Sequence, residues 1–152
     1  MSKVQRIYHS GSPEETFRIG EELGRGARPG EIYALCGDLG VGKTVFTKGF
    51  AAGLGITRPV SSPTFTILQI YEEGRLPLYH FDVYRIGDAE EMEEIGLDEY
   101  LFSDGVSLVE WADRIGEILP QETLWLRIEK DLEKGLDYRR IEVSKSPAES
   151  QT

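Results

Sequence analysis

One cysteine, two histidines and two methionines are all the sulfur and imidazole in this 152-residue sequence. Cys36 has no second thiol to pair with, so an intramolecular disulfide is excluded. It lies in the apolar run EIYALC, where a small buried thiol is the expected role rather than a catalytic one. With only His9 and His80 beside it, a zinc site of the Cys/His kind is poorly supported. Positive charge is scarce as well: 17 Lys and Arg stand against 27 Asp and Glu, for a net charge of −10. A free-standing nucleic-acid binder carries a basic face to neutralise phosphates, so direct, tight RNA or DNA binding is disfavoured. No stretch approaches the roughly 18 apolar residues of a membrane helix. The N-terminus lacks the basic-then-apolar pattern of an export signal, and the expected location is the cytoplasm.

What is present is an ordered alternation of apolar runs and turn residues. QRIYH (5–9) predicts a short strand. SPEETFRIGEELG predicts a helix with Ser12 as N-cap, Pro13 in its first turn and Glu15 closing a capping box; Phe17, Gly20 and Leu23 form its packing face. EIYALC predicts a buried central strand. After the glycine loop, Phe46, Phe50 and Leu54 recur at helical spacing, with Gly49 and Gly53 beside them to let the helix approach a sheet. TILQIYEE and RLPLYHFDVYR read as a hairpin about an EEGR turn. DAEEMEEIGLDEYLF reads as an acidic helix, GVSLVEW as a strand and ADRIGEIL as a short helix. TLWLRIEK and DYRRIEVSK make a second hairpin. The expected fold is α/β, a three-layer sandwich on a mixed parallel and antiparallel sheet. Residues 1–145 make one domain, and 146–152 a disordered tail.

The chemistry begins at GDLGVGKT, which fits the Walker A pattern in full: Gly37, four residues, Gly42, Lys43, Thr44. The glycines turn backbone N–H groups toward a phosphate, the lysine reaches the β- and γ-phosphates, and the threonine hydroxyl meets Mg²⁺. Asp38, Leu39, Gly40, Val41, Gly42, Lys43 and Thr44 are therefore the expected nucleotide cradle. Magnesium needs a further oxygen ligand, normally an acid at the end of a neighbouring buried strand. Glu110 ends the run VSLV and fits that position. Asp82, in YHFDVY, is the second candidate and shares a strand face with His80 and Tyr84. SSPTF reads as a proline turn that can reach a γ-phosphate through Ser61, Ser62 or Thr64.

Taken together, GDLGVGKT, SPTF (62–65), HFDVYR (80–85) and LVEW (108–111), in this order and in a chain of this length, closely resemble the TsaE (YjeE) family. These are small P-loop ATPases of tRNA threonylcarbamoyladenosine biosynthesis. The resemblance spans nearly the whole chain, and HFDVYR and VEW are its more specific parts. It implies ATP and Mg²⁺ binding, weak ATPase activity in isolation, and action with the TsaB–TsaD heterodimer. That heterodimer modifies adenosine 37 of ANN-decoding tRNAs, so tRNA is met only through the partners. By position, Lys43 matches the phosphate lysine and Thr44 the magnesium threonine. Glu110 matches the second magnesium ligand or catalytic acid, Asp82 a switch-like aspartate and Thr64 a switch residue. Trp111 matches an aromatic near the adenine. The region Ser10 to Thr16 matches a stretch that holds the nucleotide, as does a C-terminal arginine for which Arg139 and Arg140 both qualify, Arg140 being the nominal choice.

Three rivals fit less well. A small-molecule kinase needs an arginine-bearing lid, and the dense YRR lies in a late hairpin instead. A GTPase needs an N-K-x-D-like guanine reader, which is absent. A non-catalytic nucleotide-gated binding module overlaps in part with the family behaviour.

Overall fold

The computed structural model describes residues 4–37, 42–60, 68–83, 97–101, 103–112 and 118–145. Strand β1 (Val4–Ser10) leads into helix α1 (Pro13–Gly26), then β2 (Ile32–Cys36) and helix α2 (Lys43–Gly53). The hairpin β3 (Leu68–Tyr71) and β4 (Leu78–Asp82) follows, then a one-turn helix α3 (Leu97–Tyr100) and β5 (Val106–Glu110). The chain continues through β6 (Leu124–Lys130) and a 3₁₀ turn at Leu132–Lys134 to β7 (Arg139–Ser144). Of the expected acidic helix only residues 97–101 fall within the described residues, Leu97–Tyr100 as a helical turn, and the expected SPTF loop, most of the short helix before Pro120 and the tail lie outside them.

The sheet has the order β1-β7-β6-β2-β5-β4-β3. Its centre is parallel: β2 pairs with β5 and β6, and β4 with β5. Its flanks are antiparallel, β3 on β4 at one side, β7 on β6 and β1 on β7 at the other. The mixed sheet expected from one crossover unit plus two hairpins is thus observed. All five residues of β2 are buried, as a strand covered on both faces requires. Alternate side chains enter two cores. Tyr33, Leu35, Leu108, Leu126 and Ile141 meet α1 and α2, while Ile32, Ala34, Cys36, Phe81, Val109 and Trp125 form the core of the opposite face with Leu101 and Ala112. Phe46 and Phe50 of α2 and its C-cap Leu54 are fully buried, each a gain of about 2–3 kcal/mol over exposure.

The start of α1 is built as the sequence specifies. Ser12 accepts from the Glu15 N–H at 3.2 Å, and Glu15 Oε1 reaches back to the N–H of Gly11, one residue earlier than the simplest capping box. The glycines of α2 need a correction. A Cβ on Gly49 or Gly53 would strike the Phe17 and Glu21 carbonyls of α1, and one on Gly20 or Gly24 would strike Phe46 and Phe50 of α2. The small residues therefore seat helix against helix, Gly-x-x-x-Gly facing Gly-x-x-x-Gly, rather than helix against sheet. Arg75, in the β3–β4 turn, secures the far end of both helices. Its Nη2 donates to the Gly24, Arg25 and Ala27 carbonyls at 2.9, 2.7 and 2.8 Å, and its backbone N–H to the Leu54 carbonyl at 2.7 Å.

Candidate nucleotide site

Strand directions decide what meets at the functional edge. The parallel strands β2, β5, β4 and β6 all end there, and the antiparallel β7 begins there, since Arg139 pairs with Lys130. Strand β1 also ends there, Ser10 pairing with Arg139. From β2 the chain runs to β3, β4 and β5 on one side and then crosses back to β6 on the other. This switch point, at the carboxyl ends of parallel strands, is where open α/β sheets bind ligands.

Gly37 follows β2 with φ 149° and Gly42 precedes α2 with φ 102°, both in the region that favours glycine. Gly42 is the N-cap and offers no side chain, so the first N–H groups of α2 have no side-chain cap to compete with a phosphate. Asp38, Leu39, Gly40 and Val41 lie outside the described residues, as does Thr64. Lys43 is only 7% exposed, unusual for a lysine. Its Nζ donates to the Gly37 carbonyl at 2.8 Å and sits 3.4 Å from the ring centroid of Trp111. The ammonium is held between the Gly37 carbonyl and the Trp111 π face. Thr44 is exposed in the first turn of α2.

The two acids also meet the edge. Asp82 and Glu110 are register partners on β4 and β5. By alternation from Leu78 and Leu108, which enter the α1–α2 core, both lie on the face that carries α2. Glu110 is 3% exposed, and its Oε2 lies 2.5 Å from Nε2 of the fully buried His80. That contact was not foreseen, although His80 on the face of Asp82 was the available signal. Among the described residues no cluster of three or more His, Cys, Asp or Glu gathers. Paired carboxylates at adjacent strand ends are nonetheless donors of the kind that suit Mg²⁺, a hard cation that takes one or two carboxylates and fills its shell with other oxygens. Immediately after Glu110, Trp111 adopts φ 61°, a left-handed conformation uncommon for a bulky residue. Its ring, half-buried beside the opposite-face core, lies against the phosphate-loop lysine.

Arg139 and Arg140 separate cleanly. Arg140 binds Glu142 at 2.7 Å and Glu129 at 3.5 Å, and pairs in register with His9. Arg139 is two residues before Ile141, which enters the α1–α2 core, so it shares the face that carries α2. Its Nη1 donates to the Leu136 and Tyr138 carbonyls at 2.9 and 2.7 Å. Ser10 and Thr16 bond to each other at 2.7 Å at the start of α1, on this same edge.

A strand, a glycine turn, a helix opening on a buried lysine, and two acids at adjacent strand ends define a P-loop NTPase-like α/β protein. Comparison with known proteins narrows the class. The family model described as threonylcarbamoyl adenosine biosynthesis protein TsaE matches residues 10–141, and the chain belongs to the TsaE family. It is 58% identical over 130 residues to the TsaE protein of Bacillus subtilis, covering 86% of this chain and 79% of that one. It is 43% identical over 119 residues to the TsaE protein of Treponema pallidum, covering 78% and 87%. The crystal structure of Bacillus subtilis YdiB superposes with a TM-score of 0.81 at 46% identity, over 96% of this chain and 90% of that one.

Proposed function

We propose that this chain is a weak, Mg²⁺-dependent ATPase of tRNA threonylcarbamoyladenosine biosynthesis, supporting repeated turnover by a TsaB–TsaD complex. The observation that carries the reading is the placement of Lys43 at the head of α2, with Asp82 and Glu110 paired across β4 and β5 on the same face. When bound, Mg²⁺ would supply neutralisation of the charge that develops on the phosphates. Lys43 exchanges the Gly37 carbonyl and the Trp111 ring for phosphate oxygens, and the N-terminal amides of α2 point at the same charge. Thr44 and Glu110 would hold the metal. Asp82 holds or orients the attacking water, and the three groups Lys43, Asp82 and Glu110 constitute the catalytic set.

Two assignments shift with the geometry. Trp111 lies at the lysine that serves the β- and γ-phosphates, so we place it by the phosphates rather than by the adenine. Arg139, on the face that carries α2, replaces Arg140 as the arginine nearest the nucleotide, because Arg140 is tied to Glu129 and Glu142. The net charge of −10 is in keeping with tRNA being handled by partners. The test is reconstituted modification with TsaB, TsaD, a threonylcarbamoyl-adenylate source and tRNA. Multiple turnover is expected only with this chain and ATP; equal turnover without it removes the reading.

A further inference from the structure

Among the described residues, Thr47 Oγ1, His80 Nδ1 and Thr123 Oγ1 are buried without a hydrogen-bond partner. His80 is the one that adjoins the site. It sits mid-strand in β4 with no exposure, two residues from Leu78 and opposite Leu108, where an aliphatic side chain would pack without an orphaned nitrogen. A polar ring at such a position is costly unless its one hydrogen bond matters. That bond goes diagonally across the sheet to Glu110 Oε2. An ionised carboxylate can only accept, so a bond to it requires a proton on Nε2, while Nδ1 is left without a partner. Glu110 is itself 3% exposed, and His80 is the partner that holds its Oε2.

We propose that His80 is a positioning residue: its Nε2–H fixes one oxygen of Glu110, leaving Oε1 as the oxygen that takes Mg²⁺. The pair is the carboxylate counterpart of the outer-shell hydrogen bonds that orient metal-binding side chains, whose loss lowers metal affinity by about 10–100-fold. The proposal rests on Glu110 being a metal ligand, and the experiment separates the two claims. MgCl₂ is titrated calorimetrically into protein held in excess over a non-hydrolysable ATP analogue, for the parent and for Glu110→Ala, His80→Leu, His80→Gln and His80→Asn. Circular dichroism and cooperative melting establish that each variant is folded.

Glutamine places its amide nitrogen near the Nε2 position and should keep Mg²⁺ affinity within about threefold of the parent. Leucine, and asparagine whose amide falls at the Nδ1 position, should lower it at least about tenfold. Metal-free affinity for the analogue should stay within about twofold in all three His80 variants, because the side-chain bond that His80 makes among the described residues is to the acid. If Glu110→Ala loses Mg²⁺ affinity while His80→Leu and His80→Asn keep it, the His80 role is overturned and the Glu110 role stands. If Glu110→Ala keeps it, both fall. Equal losses in glutamine and asparagine also overturn the proposal, since the donor at Nε2 is then irrelevant. Should His80→Leu fail to fold, the glutamine and asparagine pair decides alone.

Discussion

The two ends of helix α2 are built on opposite physical terms. At its C-terminal end the helix is locked: Gly49 and Gly53 mesh with Gly20 and Gly24 of α1, Phe50 and Leu54 are fully buried, and Arg75 binds the carbonyls at the end of α1. At its N-terminal end the terms are strained and polar. A lysine is almost enclosed, Trp111 is left-handed, and Glu110 and His80 share a hydrogen bond inside the sheet. The comparison teaches a division of labour. Close-packed glycines and satisfied caps make one end rigid enough to hold, at the other, charges that water would otherwise take. Substitutions at the two ends should accordingly separate stability from binding.

The largest effect is expected at the strained end. Lys43→Ala should lower ATP affinity by at least about a thousandfold, roughly 4 kcal/mol, measured by calorimetry. Its melting temperature should change by only a few degrees, because losing the contacts to Gly37 and Trp111 is offset by no longer desolvating an ammonium. Unchanged ATP affinity would end the phosphate-loop assignment. The converse holds at the locked end. Gly49→Ala raises helix propensity by about 1 kcal/mol yet drives a methyl into the Phe17 backbone carbonyl. A net loss of about 3 kcal/mol is expected in denaturant unfolding, with ATP affinity intact for the folded fraction. A neutral or stabilising result would show that the helices can separate without loss.

How much of this division was legible beforehand follows from which interactions are local. Ser12, Pro13 and Glu15 announce the start of α1 because capping is decided within four residues. The five apolar residues of β2 announce a strand buried on both faces, and the Walker spacing announces its loop. The sheet order is non-local: β1, first in sequence, closes the far edge beside β7, and nothing within QRIYH specifies that neighbour. Gly49 and Gly53 signalled close approach without saying to what, since a missing Cβ is equally useful against a strand or a helix. The choice between Arg139 and Arg140 hung on alternation along β7, whose sign becomes known only once Ile141 is seen to enter the core beneath α1 and α2. His80 was legible as a polar oddity, while its bond to Glu110 needed the parallel register of β4 and β5.

A smaller effect is expected where the hairpin turn grips the locked end. Arg75→Ala removes a guanidinium from three carbonyls at the end of α1 while leaving its backbone bond to Leu54. A loss of about 2 kcal/mol in unfolding free energy is expected, as for hydrogen bonds from a charged donor. ATP affinity should not change, since the turn adjoins the helix ends farthest from Lys43. A loss of binding comparable to the loss of stability would mean the two ends are coupled rather than divided.

The smallest expected signal is also the most direct report from the strained end. The chain has two tryptophans, and they sit in different worlds. Trp125 is buried within β6 at 6% exposure, in the core of the opposite face. Trp111 lies under the ammonium of Lys43 at 3.4 Å. If ATP draws Lys43 onto its phosphates, the cation leaves the Trp111 ring and about 1–2 kcal/mol of cation–π attraction is exchanged for phosphate contact. The emission of Trp111 should then change on adding MgATP, while Trp125 supplies a constant background. In Trp111→Phe the emission change should vanish, and ATP affinity should shift by no more than about tenfold, because a weaker π face still meets the lysine. A nucleotide-induced change that survives in Trp111→Phe would place the moving environment at Trp125, and the core of the opposite face would have to be counted among the parts that respond.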